Sequence, residues 1–147
     1  MSESQAPSGA PPPRRGLQVA AILYGLPFVW VGIQHFIRPE VFEPIVPPYL
    51  GWPWFWVHIT GYTEIALGLG VMVPRTRRVA GWLMVAQLAL LYLANLHMWM
   101  ADLPFDGMQM GPVGHVIRLG VQLLLMAAAA GLARSARPRG AAGPVGA

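Results

Sequence analysis

The chain contains no cysteine and no lysine, and only 11% of its 147 residues are charged. Without thiols, thiol–disulfide exchange, iron–sulfur ligation by thiolates and covalent c-type haem attachment are excluded, so any redox role must borrow a cofactor. The shortage of charge excludes an ordinary soluble bundle, whose composition is roughly 25% charged. The sequence also has no glycine-rich phosphate loop, no nucleophile elbow and no HExxH zinc motif.

Hydrophobic residues make up 55% of the chain. They gather in four runs, at about 17–37, 54–73, 79–99 and 115–133, each close to the ~20 residues that cross a bilayer as a helix. The expected architecture is an all-α integral membrane four-helix bundle, a single domain over residues 17–133. Residues 1–16 and 134–147 are rich in Pro, Gly, Ala and Ser and read as disordered cytoplasmic tails. A cleaved signal peptide is the rival reading of the first run. That run is too long for an h-region, holds Pro27, Trp30, Gln34 and His35, and ends in FIRPEVF without a small-residue cleavage site.

All ten basic residues are arginine, and their placement predicts the orientation. Arg14 and Arg15 precede the first run, Arg75, Arg77 and Arg78 separate the second from the third, and Arg134, Arg137 and Arg139 follow the fourth. On the other side Arg38 is offset by Glu40 and Glu43, with Asp102 and Asp106 nearby. The positive-inside rule then puts both termini in the cytoplasm. The pI of about 10.4 is accounted for by topology, and nucleic acid is not an expected partner. The segment RPEVFEPIVPPYLGWPWFW is too proline-rich for a long helix and predicts a short interfacial lid after helix one. Trp52, Trp54, Trp56 and Trp99 read as an aromatic belt at headgroup depth.

Helical spacing sorts the few polar side chains within the spans. Gly25, Phe28, Gly32 and His35 share one face of the first run; Gly61, Glu64 and Gly68 share one face of the second. Small residues on a stripe admit close helix contact, so His35 and Glu64 are expected to face protein. Glu64 lies ten residues beyond Trp54, roughly 15 Å along a helix and about halfway through a ~30 Å hydrocarbon core. A charge there costs at least ~2.5 kcal/mol and needs a partner. His115, Arg118 and Gln122 form one polar face of the fourth run, and Arg118 is the only other charge within a span. A Glu64–Arg118 ion pair, with Gln122 filling the remaining hydrogen-bond positions, is the expected solution; the third run separately contributes Asn95 one turn from its outer end.

The four histidines, His35, His58, His97 and His115, fall one to a helix near the outer ends and predict a layer around a small polar cavity. Beside them HMWMADLPFDGMQM carries two M-x-M units, and the thioether of Met98 next to His97 suits a soft ion such as Cu(I). Metal handling by this set, or bis-histidine haem b, competes with the bland alternatives of solvated helix-end imidazoles and packing methionines.

Taken together, GIQHFIRPEVFEPIVPPYL, GYTEIALGLGVMVPRTRRVAGW, LANLHMWMA and RLGVQ resemble the DoxX-like family of small four-helix bacterial membrane proteins over about residues 20–133. Where the family pattern has proline this chain has Leu93 and Gly120, which bears on helix kinks. The resemblance implies that His35, Glu64, Asn95, Arg118 and Gln122 are recurrent polar positions, and that the protein is a multi-pass component of the bacterial inner membrane. It further implies association with membrane or periplasmic redox partners, in which a quinone-interacting subunit meets thiosulfate-oxidising or other oxidoreductase complexes. No covalent cofactor is expected, and homo-oligomerisation is compatible with the pattern. The leading expectation is therefore a quinone-linked membrane subunit with an outer-side polar pocket. The alternatives are a non-enzymatic scaffold or chaperone-like module and an outer-face copper or other metal-binding protein.

Overall fold

The computed structural model describes residues 15–136. The tails expected to be disordered, 1–16 and 134–147, fall almost wholly outside that range. The order of elements is α1 (Arg15–Ile37), α2 (Pro39–Phe42), α3 (Pro53–Met72), α4 (Arg77–Met100) and α5 (Gly111–Ser135). Two 3₁₀ turns, Glu43–Ile45 and Pro48–Leu50, fill the segment between α2 and α3. The described residues are thus all-helical, and their one β feature is an isolated bridge between Phe105 and Met108.

Length and composition make α1, α4 and α5 fit to cross a membrane, and the chain is a multi-pass membrane protein on that ground. α3 has 20 residues, but His58, Thr60, Thr63 and Glu64 dilute its apolar content, and it falls short of the other three. The apolar surface is turned outward: Leu23, Leu90 and Leu124 are 67%, 70% and 71% exposed. Such a surface suits lipid and would be costly in water.

α1, α3 and α4 coincide with the first three apolar runs to within two residues at each end, whereas α5 starts at Gly111 rather than near 115. Pro112 explains the early start, since its fixed φ and missing N–H are suited to a first helical turn. The proline-rich stretch after α1 behaves as its composition predicts, breaking into one turn of α-helix and two of 3₁₀.

α1 packs along α3, α4 along α5, and α3 against α4, whereas α1 and α5 meet only sparsely. The α1–α3 seam rests on reciprocal glycines. A Cβ added at Gly25 would lie 2.5 Å from the carbonyl oxygen of Gly68, and one at Gly32 would lie 2.8 Å from that of Gly61. Only glycine lets the two backbones come this close. On the other seam, Gly81 sits against Ala129 and Ala133.

At the far end, Arg77 is buried and ties three segments together. Its Nε donates to Val71 O at 2.9 Å, and its Nη2 donates to Met72 O at 3.1 Å and to the side-chain oxygen of Gln18. Gln18 Nε2 also donates to Met72 O, at 3.0 Å. The last carbonyls of α3, which have no partner within their own helix, are satisfied in this way.

Candidate functional site

The sparse α1–α5 contact leaves a cavity of about 500 Å³ at the loop end of the bundle. Its size falls within the roughly 300–1,000 Å³ of small-molecule sites. Apolar side chains of α1, α4 and α5 form most of the wall, and His35, Glu64, Asn95, Arg118 and Gln122 all line it. All five residues expected on sequence grounds are therefore gathered at one site.

Their pairing differs from the expectation. No ion pair within 4.0 Å joins Glu64 to Arg118. Arg118 Nε donates instead to Asn95 Oδ1 at 2.7 Å, the Asn95 amide donates to Gln122 Oε1, and Gln122 Nε2 donates to Leu88 O at 2.8 Å. Gln122 therefore serves this relay rather than completing a carboxylate pair. The physical reason is topological. α3 and α5 are each flanked by α4 and face one another across the bundle, while α4 lies directly beside α5 and offers Asn95 at bonding distance.

On the opposite wall, His35 and Glu64 are 5% and 4% exposed. His35 Nδ1 donates to Val31 O at 2.9 Å, which fixes the tautomer and leaves Nε2 as an acceptor in the neutral ring. Glu64 Oε2 lies 3.5 Å from that same nitrogen, whose hydrogen is already committed, and it has no hydrogen-bond partner. Orphaned buried polar atoms are uncommon and often mark a functional role. Here an unpartnered carboxylate oxygen and a guanidinium that donates a hydrogen bond only through Nε line one cavity.

Two aromatic residues close the loop end: Phe42, from the proline-rich lid segment, and Phe105, which sequence reasoning overlooked. The Phe42 ring stacks on His35 with centroids 3.8 Å apart, and the Phe105 ring lies under the Arg118 guanidinium at 4.5 Å. The two phenyl rings meet edge-on at 5.9 Å. Phe105 is placed by a two-residue turn in which Asp106 and Gly107 both have positive φ, 50° and 76°. Phe105 and Met108 exchange backbone hydrogen bonds of 3.0 Å across it. An Asp-Gly pair is the sequence signature of that turn, and it is the signal by which Phe105 could have been found. The same turn presents Asp106 to Arg38, which binds both carboxylate oxygens through its two Nη groups. That hydrogen bond, and next the carboxylate's charge, holds the Arg38 guanidinium above its ordinary basicity.

The expected layer of four histidines does not form. Only His35 lines the cavity. His58 bonds Trp54 O at 2.8 Å and packs against the Trp54 ring at 4.2 Å. His97 is half-buried with Nδ1 unpartnered, and His115 stands parallel to Trp99 at 6.0 Å beside a separate surface pocket. Among the described residues no three His, Asp or Glu side chains are placed to hold a metal ion together. Met98 is fully buried in the packing, whereas Met100 and Met108 are 80% and 67% exposed, so the M-x-M units do not converge either. The cause is angular: one residue per helix near a common depth does not put four rings on inward faces.

No curated protein and no solved structure matches the chain. Residues 24–133, most of its length, match the model of a family described as a domain of unknown function, and the chain belongs to that family, DUF8561.

Proposed function

We propose that this protein is a DoxX-like four-span component of the bacterial inner membrane, with both termini cytoplasmic, that holds a quinone headgroup for redox partners. The observation carrying this reading is the unpartnered Glu64 Oε2 in a cavity that Arg118 also lines. α3 is counted as the fourth span because its 20 residues are long enough to cross and its one charged side chain, Glu64, is buried against the bundle and so shielded from lipid.

A quinone headgroup carries two carbonyl oxygens on opposite edges of a flat ring. Arg118 keeps its two Nη amino groups for one carbonyl, because Asn95 takes only Nε. Glu64, when protonated, donates to the other, and when ionised it accepts the proton that a reduced ring gives up. Asn95 and Gln122 hold Arg118 in place; His35 sits beside Glu64 with its ring stacked on Phe42. The quinone supplies the electron chemistry, and this chain's residues orient it, exclude water and hold a proton at Glu64.

The test is titration of the purified protein with a short-chain quinone, followed by quenching of tryptophan fluorescence. Hydrogen bonds to charged groups contribute about 1.5–3 kcal/mol. Glu64→Gln and Arg118→Met are each expected to weaken binding by roughly 10- to 100-fold without loss of helicity. Saturable binding left unchanged by both substitutions would overturn the assignment of the site, and absence of saturable binding to the unsubstituted protein would overturn the proposed ligand.

A further inference from the structure

We infer that the cavity is filled sideways, from the bilayer, through the seam between α1 and α5, while its loop end stays latched; its occupant is a membrane-dissolved amphiphile rather than a water-soluble solute. This inference rests on the reading of the cavity as a ligand site and adds the route and the physical class of the ligand.

The loop end is closed by contacts of several kinds. Arg38 and Asp106 join the segment after α1 to the turn before α5, and beneath them the rings of Phe42 and Phe105 meet edge-on. Each ring also lies on one polar group of the site, Phe42 on His35 and Phe105 on Arg118. A solute arriving from water must break the ion pair, part the rings and strip both polar groups of their stacking partners. These contacts are coupled, because all of them depend on the same two short segments.

The side wall is built differently. Leu23 and Val31 of α1 and Val121 of α5 line the cavity, yet they are also 67%, 38% and 48% exposed on the outer surface. Residues that face the cavity and the lipid at once mark its rim. α1 and α5 are bridged by one hydrogen bond, from the Tyr24 hydroxyl to Leu125 O at 2.9 Å, at the end of the seam away from the loops. Pro27, also in the wall, has no N–H to give the carbonyl of Leu23, so α1 is weakened at this level. Polar groups gather at the loop end and apolar ones along the seam, an arrangement that seats a headgroup inside and leaves an apolar tail in lipid.

The absence of native cysteine makes the test clean. Arg38→Cys/Asp106→Cys is reconstituted in vesicles, bridged with a reducible bis-thiosulfonate, and presented with a long-chain quinone dissolved in the bilayer. The expected result is uptake within twofold of the unbridged protein. In the same vesicles Val31→Phe/Val121→Phe, which thickens the rim while leaving the polar groups in place, is expected to slow uptake at least tenfold. Uptake blocked by the bridge and restored by reduction would overturn the route while leaving the ligand reading standing, as would Val31→Phe/Val121→Phe taking up quinone at the normal rate. No uptake by the unsubstituted protein would remove the ligand reading and the route with it.

Discussion

Glycine and glutamate on one stripe of α3 are a paired requirement. Gly61 lets α1 approach so closely that a Cβ there would lie 2.7 Å from the His35 Cβ and 3.0 Å from the Gly32 carbonyl oxygen. That approach brings His35 within 3.5 Å of Glu64. Gly61→Ala is therefore expected to destabilise the protein by about 1–3 kcal/mol through overpacking, and to move His35 away from the cavity. Gly120→Ala on α5, where an added Cβ meets nothing within 4 Å, is the internal control. It is expected to be neutral or to stabilise by about 0.4–1 kcal/mol. Thermal unfolding of the two variants in the same detergent checks the contrast. These burial assignments were legible in the sequence because 3.6-residue periodicity is local: Gly25, Phe28, Gly32 and His35 are all buried, as are Gly61, Glu64 and Gly68. The partner of Arg118 was not legible. It depends on which helix lies beside α5, and one candidate acceptor, Asn95, stood as close to hand in the sequence as the other.

Each long helix owes its end to a device that differs in how visible it is in sequence. Pro53 and Pro112 start α3 and α5 within the first turn, a signal that composition carries openly. The C-terminus of α3 relies on a side chain from the next helix, since Arg77 reaches back to Val71 O and Met72 O. Among the arginines of the turn, the topological rule treats Arg75, Arg77 and Arg78 alike, yet Arg77 is buried and Arg78 exposed. Arg77→Ala is expected to orphan Val71 O, since Met72 O keeps its bond from Gln18, at a cost of about 1–3 kcal/mol, and to accelerate hydrogen exchange in the last turn of α3. Arg78→Ala is expected to stay within about 0.5 kcal/mol of the parent protein. Exchange measured by mass spectrometry on both variants distinguishes a helix cap from a solvated surface charge.

At the scale of the molecule, two tightly packed helix pairs meet along α3 and α4 and stand apart along α1 and α5. The gap is a consequence of small residues: glycine draws α1 to α3, and glycine with alanine draws α4 to α5, while no comparable stripe joins α1 to α5. An outward apolar surface and an inward polar cluster then follow from the few charges the chain carries. The helical class and the membrane setting could be read from composition and run length alone. A small polar cavity and a proline-rich lid could be anticipated from the sequence, but not how the cavity closes, because Phe42 and Phe105 are separated by more than sixty positions and brought together by the fold. The most direct measurement is quantitative mass spectrometry of the lipid extract from the protein purified in mild detergent from its own membrane, set against the Glu64→Gln/Arg118→Met double variant. The account predicts quinone retained at close to one molecule per chain in the parent protein and lost from the variant. Quinone no more abundant in the parent extract than in the surrounding membrane, or retained equally by both proteins, would contradict it.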